Sequence, residues 1–208
     1  MSYSLNTTII NSLEKQKPDN AVILCHGYGG DGKDISILAN YWKNYLPKTV
    51  FICPDAPEKC TVSPTGFQWF DLMDQTSDQI LTKSLVAEIK LNKFIDEIKA
   101  EYNLSADKII LCGFSQGCMI TLQTGLKRED KINSIIGYSG KIIDTKHIEN
   151  NIKSIFGKYI LKGKSPNPNW KSYSFQASPE PLVTQYNNNL LFSEPGSGQD
   201  PKMYSAAN

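Results

Sequence analysis

Near-continuous apolar runs, separated by segments of helical periodicity, predict the architecture of this chain. The runs do not alternate between apolar and polar residues, which is typical of parallel strands that are covered on both faces. They are rich in isoleucine and valine and comprise Ala21–Cys25, Thr49–Cys53, Lys108–Cys112 and Ser134–Tyr138. Residues Thr7–Ile10 are a candidate for a further strand at the edge of the sheet.

Helical patterns lie between the predicted strands. Asp34–Tyr45 carries apolar residues at the spacing of one helical face, and so does Ser77–Glu101. Ser77 followed by Asp78 suits the start of a helix. This alternation of strands and helices predicts an α/β fold, with a mostly parallel sheet joined by right-handed crossovers and flanked by helices.

The last quarter of the chain has a different composition. Beyond Gly157 the sequence contains scattered prolines and the turn-forming run Asn187–Asn189, with one short strand candidate at Tyr159–Leu161. We therefore expect an incomplete α/β domain at residues 1–156, whose sheet is truncated at its C-terminal strands, and a poorly ordered tail at residues 157–208. The run Ser134–Tyr138 would then form an exposed sheet edge.

Composition excludes several classes of protein. The chain has 208 residues, of which 40% are hydrophobic and 21% charged, as in an ordinary soluble domain. The net charge of +1 does not indicate binding to nucleic acid or to anionic membranes. No apolar run is long enough to span a bilayer. The N-terminus lacks the pattern of a secretory signal, and the five cysteines lack metal-ligand spacing. We expect buried thiols in a reducing, cytoplasmic compartment, with a reactive Cys118 near a helix start as the alternative.

The segment Gly113-Phe114-Ser115-Gln116-Gly117 joins an apolar run to a helix-like run. Gly-x-Ser-x-Gly between a strand and a helix is the pattern of a nucleophile elbow, in which a serine occupies a sharp, strained turn. The glycines allow the strand and the helix to approach each other, and the helix N-terminus faces the charge that develops in acyl transfer. The alternative is a plain glycine-rich turn between a core strand and a helix.

A second glycine-rich loop follows the first strong strand, as His26-Gly27-Tyr28-Gly29-Gly30. In lipases and esterases such a loop supplies backbone N–H groups to an oxyanion hole. The N–H groups of Tyr28 and Gln116 are the candidate donors, since Gln116 directly follows Ser115. The alternatives are a plain turn and a phosphate-binding loop, although the residues required for phosphate binding are missing.

His26 has two possible roles. It is either the catalytic base or a structural histidine that hydrogen-bonds within the oxyanion loop. In α/β-hydrolases the triad follows the order serine, acid, histidine along the chain, whereas His26 precedes Ser115. The order favours the structural role.

Five motifs in sequence order resemble the phospholipase/carboxylesterase family of α/β-hydrolases, which includes the acyl-protein thioesterases. They are His26–Gly32, Cys53–Pro57, Gln68–Asp71, Gly113–Met119 and Gly137–Gly140. The resemblance implies a serine esterase or thioesterase with Ser115 as nucleophile and an oxyanion hole formed by Tyr28 and Gln116. It implies small ester, thioester or lysolipid-like acyl substrates and neither a metal nor an organic cofactor. Trp69 and Phe70 would lie beside the acyl cleft or in the core.

The chain departs from the family pattern where the acid and the base belong. The nearest counterpart of the acid turn is Leu161–Pro166, in which Lys162 and Pro166 replace the histidine and the aspartate. The family's base sits in a Gly-His pair near the C-terminus, whereas no histidine follows His147 here. His147 itself is interpreted as a solvent-facing helix residue, because it lies too early in the chain order, with a role as base as the alternative.

Two interpretations therefore remain. In the first, the chain is an impaired serine hydrolase whose C-terminal quarter has been replaced or is read out of frame. In the second, it is a non-catalytic α/β-hydrolase-like module that binds acyl ligands or proteins. A nucleotide-binding doubly wound domain is excluded, because the phosphate fingerprint and the ribose-binding acid are missing. Reaction of Ser115 with a serine-directed probe distinguishes the first two.

Overall fold

A computed structural model describes residues 3–14, 17–73, 75–145, 147, 189–193 and 203–205. Over these ranges the chain forms a seven-stranded mixed sheet in the order β1-β3-β2-β6-β7-β8-β9, together with a two-stranded hairpin, β4-β5. The strands are β1 Thr7–Ile10, β2 Asn20–Cys25, β3 Thr49–Pro54, β4 Glu58–Lys59, β5 Phe67–Gln68, β6 Ile109–Phe114, β7 Ser134–Tyr138, β8 Asn189–Ser193 and β9 Met203–Ser205. The helices are α1 Gly32–Trp42, α2 Ser77–Tyr102 and α3 Gln116–Lys127.

The centre of the sheet is parallel, as predicted. Strands β3, β2, β6, β7 and β8 run in one direction, while β1 and β9 pair antiparallel at the two ends. The predicted strands and the edge strand Thr7–Ile10 are confirmed, and the helix predicted at Ser77–Glu101 is found at Ser77–Tyr102. The mostly parallel sheet flanked by helices is the architecture that the sequence predicted.

Helices cover both faces of the sheet, which explains why its strands are apolar throughout. Alternate residues of β2 point to opposite sides. Ala21 and Ile23 pack in the cluster that includes α2 and α3, whereas Val22 and Leu24 pack in the cluster that includes α1. A strand that is buried on both faces needs apolar side chains at every position.

Strong local signals fix the ends of the long helix α2. The Thr76 side chain accepts a hydrogen bond from the Gln79 amide, and the Gln79 side chain bonds back to the Thr76 backbone, which forms a complete capping box. At the other end Asn103 adopts a left-handed conformation with φ 47°, a common helix stop for asparagine. The start predicted at Ser77 lies one residue beyond this cap.

The prediction of an exposed sheet edge at β7 is wrong. Strand β8 pairs parallel with β7 from Ser134↔Asn189 to Tyr138↔Ser193, and β9 pairs antiparallel with β8. The backbone of β8 therefore satisfies the hydrogen-bonding groups that β7 would otherwise expose. The strand predicted at Tyr159–Leu161 and most of the tail at residues 157–208 lie outside the described residues.

Candidate active site

Ser115 occupies the sharp turn between β6 and α3, as the sequence predicted. Its backbone has φ 53° and ψ −114°, a sparsely populated conformation for a residue with a Cβ. Such strain costs on the order of 1–3 kcal/mol and persists only where the surrounding structure enforces it. Here the Ser115 N–H donates to the carbonyl of Tyr138 at 2.8 Å, and its carbonyl accepts the first helical bond from Met119 at 3.1 Å.

The two glycines of the elbow are required by close backbone contacts. A Cβ on Gly113 would lie 2.3 Å from the carbonyl oxygen of Gly117. A Cβ on Gly117 would lie 2.0 Å from the carbonyl oxygen of Cys25 and 2.5 Å from that of His26. No side chain fits at these distances, so the expected approach of strand and helix is confirmed. The first turn of α3 consequently packs directly on the end of β2.

The glycine-rich loop after β2 lies against the elbow. A Cβ on Gly27 would lie 3.3 Å from the Cβ of Ser115 and 3.1 Å from the ring of Phe114. Gly29 has φ +80°, and its N–H donates to the carbonyl of Phe67 at 2.9 Å. The hairpin strand β5 thus holds the loop from one side while the elbow contacts it from the other.

The backbone N–H groups of Tyr28, in the loop, and of Gln116, the first residue of α3, have no hydrogen-bond partner among the described residues. The first N–H groups of a helix have no partner within the helix, and the helix dipole adds partial positive charge there. The contact between Gly27 and Ser115 places the loop that carries Tyr28 beside the turn that carries Gln116.

His26 is buried and bonded through both ring nitrogens. Its Nε2 accepts the backbone N–H of Ala56 at 2.9 Å. Nδ1 therefore carries the proton and donates to the carbonyl of Gly27 at 2.7 Å. Burial lowers the pKa of His26 below its ordinary value, so the ring is neutral near pH 7. These bonds support the structural role predicted for His26, because both nitrogens hold backbone groups.

Acidification is expected to destabilise the protein through His26. The unfolded chain binds a proton near pH 6.5, whereas the folded ring takes one only at lower pH, because burial disfavours its charged form. The contribution of His26 to stability is therefore complete above about pH 6.5 and declines as the pH falls toward the folded-state pKa. Urea midpoints measured from pH 7.5 to 5 test this. His26→Gln, which keeps an acceptor but does not titrate, should show a flatter profile, and parallel profiles would contradict the assignment.

The side chain of Tyr28 belongs to a polar cluster that sequence reasoning did not find. Its hydroxyl contacts Thr61 Oγ1 at 2.6 Å and donates to Asp71 Oδ1 at 3.4 Å. Asp71 also accepts the Met73 N–H at 3.1 Å and pairs with Lys83 Nζ at 3.3 Å. The Met73 amide first, and then Lys83, lower the pKa of Asp71. The cluster fixes the Tyr28 side chain to the segment between β5 and α2. Tyr28 and Asp71 lie within recognised motifs, whereas Thr61, Met73 and Lys83 do not.

The structure resolves the alternatives left open for Trp69 and Phe70. Both side chains are fully buried in the main hydrophobic cluster. The Trp69 indole N–H donates to the carbonyl of His26 at 3.0 Å. Core packing is therefore their role, and Trp69 additionally supports the backbone that leads into the glycine-rich loop.

His147 is exposed, as predicted for a solvent-facing residue. Its backbone N–H bonds the Asp144 carboxylate at 3.3 Å, and the other oxygen of that carboxylate pairs with Lys127 Nζ, also at 3.3 Å. Lys127 ends α3 and lies about 16 Å along the helix axis from Gln116, at 1.5 Å per residue. These contacts associate His147 with the end of α3 that is remote from Ser115. The motif Leu161–Pro166, compared above with the family's acid turn, lies outside the described residues.

Cys118 is a buried thiol. Burial raises its pKa to about 12, and a Cβ on Gly137 or Gly140 would lie 2.6 or 2.5 Å from its sulfur. The two glycines thus make room for the cysteine in the core. All five cysteines of the chain are buried and free of disulfides, so the alternative of a reactive Cys118 is not supported.

Two kinds of feature are missing from the described residues. No group of histidine, cysteine, aspartate and glutamate side chains among them has the arrangement needed to hold a metal ion. No helix within the same ranges combines the length and apolar character needed to cross a membrane.

The parallel sheet with a strained serine between β6 and α3 defines an α/β-hydrolase fold. A family profile described as Phospholipase/Carboxylesterase matches residues 6–162, more than half of the chain. The chain therefore belongs to the phospholipase/carboxylesterase family, as its ordered motifs indicated.

Individual relatives agree with this assignment. Acyl-protein thioesterase 1 of Schizosaccharomyces pombe is 31% identical over 148 residues, which are 67% of this chain and 63% of that protein. Acyl-protein thioesterase 1 homolog 1 of Dictyostelium discoideum is 30% identical and matches 63% of this chain and 62% of its own length. The chain thus spans somewhat less than two thirds of the length of these curated relatives.

Solved structures show the same fold. The crystal structure of esterase PE8 superposes with a TM-score of 0.67 at 33% identity, covering 71% of this chain and 69% of that one. Acyl-protein thioesterase 2 of Zea mays superposes with a TM-score of 0.54 at 20% identity, covering 72% and 68%. At that identity the second similarity supports the fold alone.

Proposed function

We propose that this protein is a serine hydrolase of the carboxylesterase and acyl-thioesterase type, in which Ser115 is the nucleophile. The observation that carries the proposal is the strained backbone of Ser115 at the N-terminus of α3, in contact with the Gly27 loop. Strain of this kind concentrates at functional sites, where it forms part of the mechanism.

The chemistry begins with attack of Ser115 Oγ on the acyl carbon of an ester or thioester. A carbon–oxygen bond forms, the hydroxyl proton passes to solvent water, and the carbonyl electrons move onto its oxygen. The backbone N–H groups of Tyr28 and Gln116 bind this oxyanion, a contribution that is often the largest in acyl transfer. Collapse breaks the bond to the leaving group, which departs as a thiolate or as an alcohol that takes a proton from solvent water. A water molecule then attacks the acyl-serine and loses a proton to solvent, and the carboxylic acid leaves as Ser115 Oγ regains a proton from solvent.

Activity is expected to be impaired, because the acid and the base of the family pattern have no evident counterpart. His26 has both nitrogens occupied, and His147 is exposed near the far end of α3. These are the two histidines of the chain. The Asp144 carboxylate is paired with Lys127. Proton removal from Ser115 thus relies on solvent, while the oxyanion hole and strain supply the remaining acceleration.

The second candidate is a non-catalytic module that binds acyl ligands or proteins. The ion pair between Asp144 and Lys127, together with the exposure of His147, favours it. In this case the fold would position the glycine-rich loop for binding, and Ser115 would have the ordinary reactivity of an alcohol.

A serine-directed fluorophosphonate probe distinguishes the two candidates. If Ser115 is activated, its oxygen displaces fluoride from the phosphorus and the protein is labelled once, at Ser115, in native buffer. Ser115→Ala removes the labelling, and mass spectrometry of the labelled peptide identifies the site. Ser139→Ala is the control, because Ser139 lies at the end of β7 and also has positive φ, at 57°. A native protein that remains unlabelled after hours with excess probe favours the binding module.

A further inference from the structure

The side chain of Gln116 is buried although its residue begins a helix beside a reactive centre. It is 1% exposed, and both ends of its amide are bonded to backbone. Oε1 accepts the Trp69 N–H at 2.9 Å, and Nε2 donates to the Phe70 carbonyl at 2.5 Å. The Gln116 side chain therefore satisfies the backbone N–H of Trp69 and the backbone carbonyl of Phe70. These two consecutive residues lie 47 and 46 positions earlier in the chain.

These bonds continue into the glycine-rich loop. The Trp69 indole donates to the carbonyl of His26, and the His26 ring donates to the carbonyl of Gly27. The next residue is Tyr28, whose N–H is the proposed loop donor. A continuous set of hydrogen bonds thus links Gln116 to the loop, and every side chain that carries it is buried.

We infer that the Gln116 side chain is a positioning residue that sets the distance and angle between the two oxyanion-binding amides. One amide is its own N–H, and the other belongs to the loop that it anchors through Trp69 and His26. This inference rests on the proposed function of Ser115, since the amides matter only if an oxyanion forms there. Polar groups preorganised in a buried site stabilise developing charge because they need no rearrangement during the reaction.

A neighbouring glutamine in the same helix provides a matched comparison. Gln123 is fully buried and also bonded at both ends of its amide, to Ser84 Oγ at 3.2 Å and to Glu88 Oε2 at 2.9 Å. It lies seven residues along α3 from Gln116 and binds α2 rather than the loop. Loss of either glutamine breaks buried hydrogen bonds at both ends of an amide, but we expect only loss of Gln116 to disturb the two oxyanion-binding amides.

The test compares Gln116→Met with Gln123→Met, in which methionine keeps the shape of the side chain without its polar ends. Fluorophosphonate labelling is measured over a range of probe concentrations, which separates the maximal rate constant from the probe affinity. We expect Gln116→Met to lower the maximal rate constant about 10- to 100-fold with little change in affinity, because small displacements of reacting groups cost factors of this size. Gln123→Met should label at the wild-type rate once the thermal midpoint confirms folding.

A second variant, Trp69→Phe, and a second measurement, backbone hydrogen exchange, test the positioning role independently of the Gln116→Met labelling rate. Trp69→Phe retains a buried ring but loses the indole bond to His26, so it should slow labelling in the same direction. Backbone hydrogen exchange of Trp69 and Gly29 is measured in each folded protein, and it should rise in Gln116→Met and remain unchanged in Gln123→Met. Equal labelling rates and equal exchange in the two methionine variants would overturn the inference.

The same experiment separates failure of the inference from failure of the proposed function. If the wild-type protein does not react with the probe, Ser115 is not activated and the proposed function fails. Hydrogen exchange then still reports whether Gln116 anchors the Trp69 segment and the loop, and unchanged exchange rejects the anchor itself. If the wild type reacts and both methionine variants react equally fast, the proposed function stands and the positioning role is wrong.

Discussion

Replacing Gly117 with alanine is expected to unfold most of the protein or to lower its thermal midpoint steeply. The new Cβ would lie 2.0 Å from the carbonyl oxygen of Cys25 and 2.5 Å from that of His26. Both obstacles are backbone atoms, so the elbow and β2 must separate. We expect a loss of about 4 kcal/mol or more, against a total of about 5–15 kcal/mol for a typical domain. Circular dichroism melts should show a decrease on the order of 8–16 °C.

The matched control for this substitution is Gly30→Ala in the neighbouring loop. A Cβ on Gly30 would meet the Gly27 carbonyl oxygen and the His26 ring at 3.4 Å, which is ordinary van der Waals contact. The control should therefore change the free energy of unfolding by less than about 1 kcal/mol. A Gly117→Ala protein that melts within about 2 °C of wild type would show that the elbow does not pack on β2 as described.

The core of the fold was predictable because its signal is local and repeated. Each central strand is a short, continuous apolar run, and β2 shows the physical reason, since Ile23 and Leu24 are buried on opposite faces. The long helix α2 was predictable from its apolar periodicity and its polar start. The two glycine motifs were predictable because close backbone approaches exclude side chains, as Gly113 and Gly117 demonstrate.

Two parts of the β-structure, the hairpin β4-β5 and strand β8, were not predicted from the sequence. The hairpin strands β4 and β5 are two residues each, which is too short for an apolar period to appear. Strand β8, Asn189–Ser193, begins in an asparagine run that was interpreted as turn-forming. Its pairing with β7 is a long-range interaction, and local propensity is a weak guide where tertiary context decides the strand.

The hydrogen bonds that hold the loops of the candidate site could not be predicted from the sequence either. Ser115, Tyr28 and Gln116 follow from spacing alone. The Gln116 side chain, however, bonds the backbone of Trp69 and Phe70. No local pattern reports which backbone groups a buried amide will meet. The motifs therefore predicted which residues would form the site, and the structure showed how the loops that carry them are held together.

Turnover of simple esters is expected to be at least ~1000-fold slower than that of a family member with a complete triad, because loss of triad members costs factors of this size. Purified protein is assayed with an aryl ester, a thioester and an alkyl ester of the same acyl group, and Ser115→Ala provides the background. Robust turnover that Ser115→Ala abolishes would show that a base is present after all. His147→Ala is then the next variant, and its loss of activity would identify His147 as that base.

The residual activity should also depend strongly on the leaving group. A thiol has a pKa of about 8.5 and leaves as a thiolate without a proton, whereas an alcohol, with a pKa near the ~15.7 of water, needs a general acid. General acid catalysis contributes on the order of 10²–10⁴-fold, and neither His26 nor His147 is placed to supply it. We therefore expect kcat/KM, which reports the acylation step, to be at least about 100-fold higher for the thioester and the aryl ester than for the matched alkyl ester. Equal values of kcat/KM for the thioester and the alkyl ester would mean that an acid protonates the leaving group, and the pH at which kcat/KM for the alkyl ester declines would report the pKa of that acid.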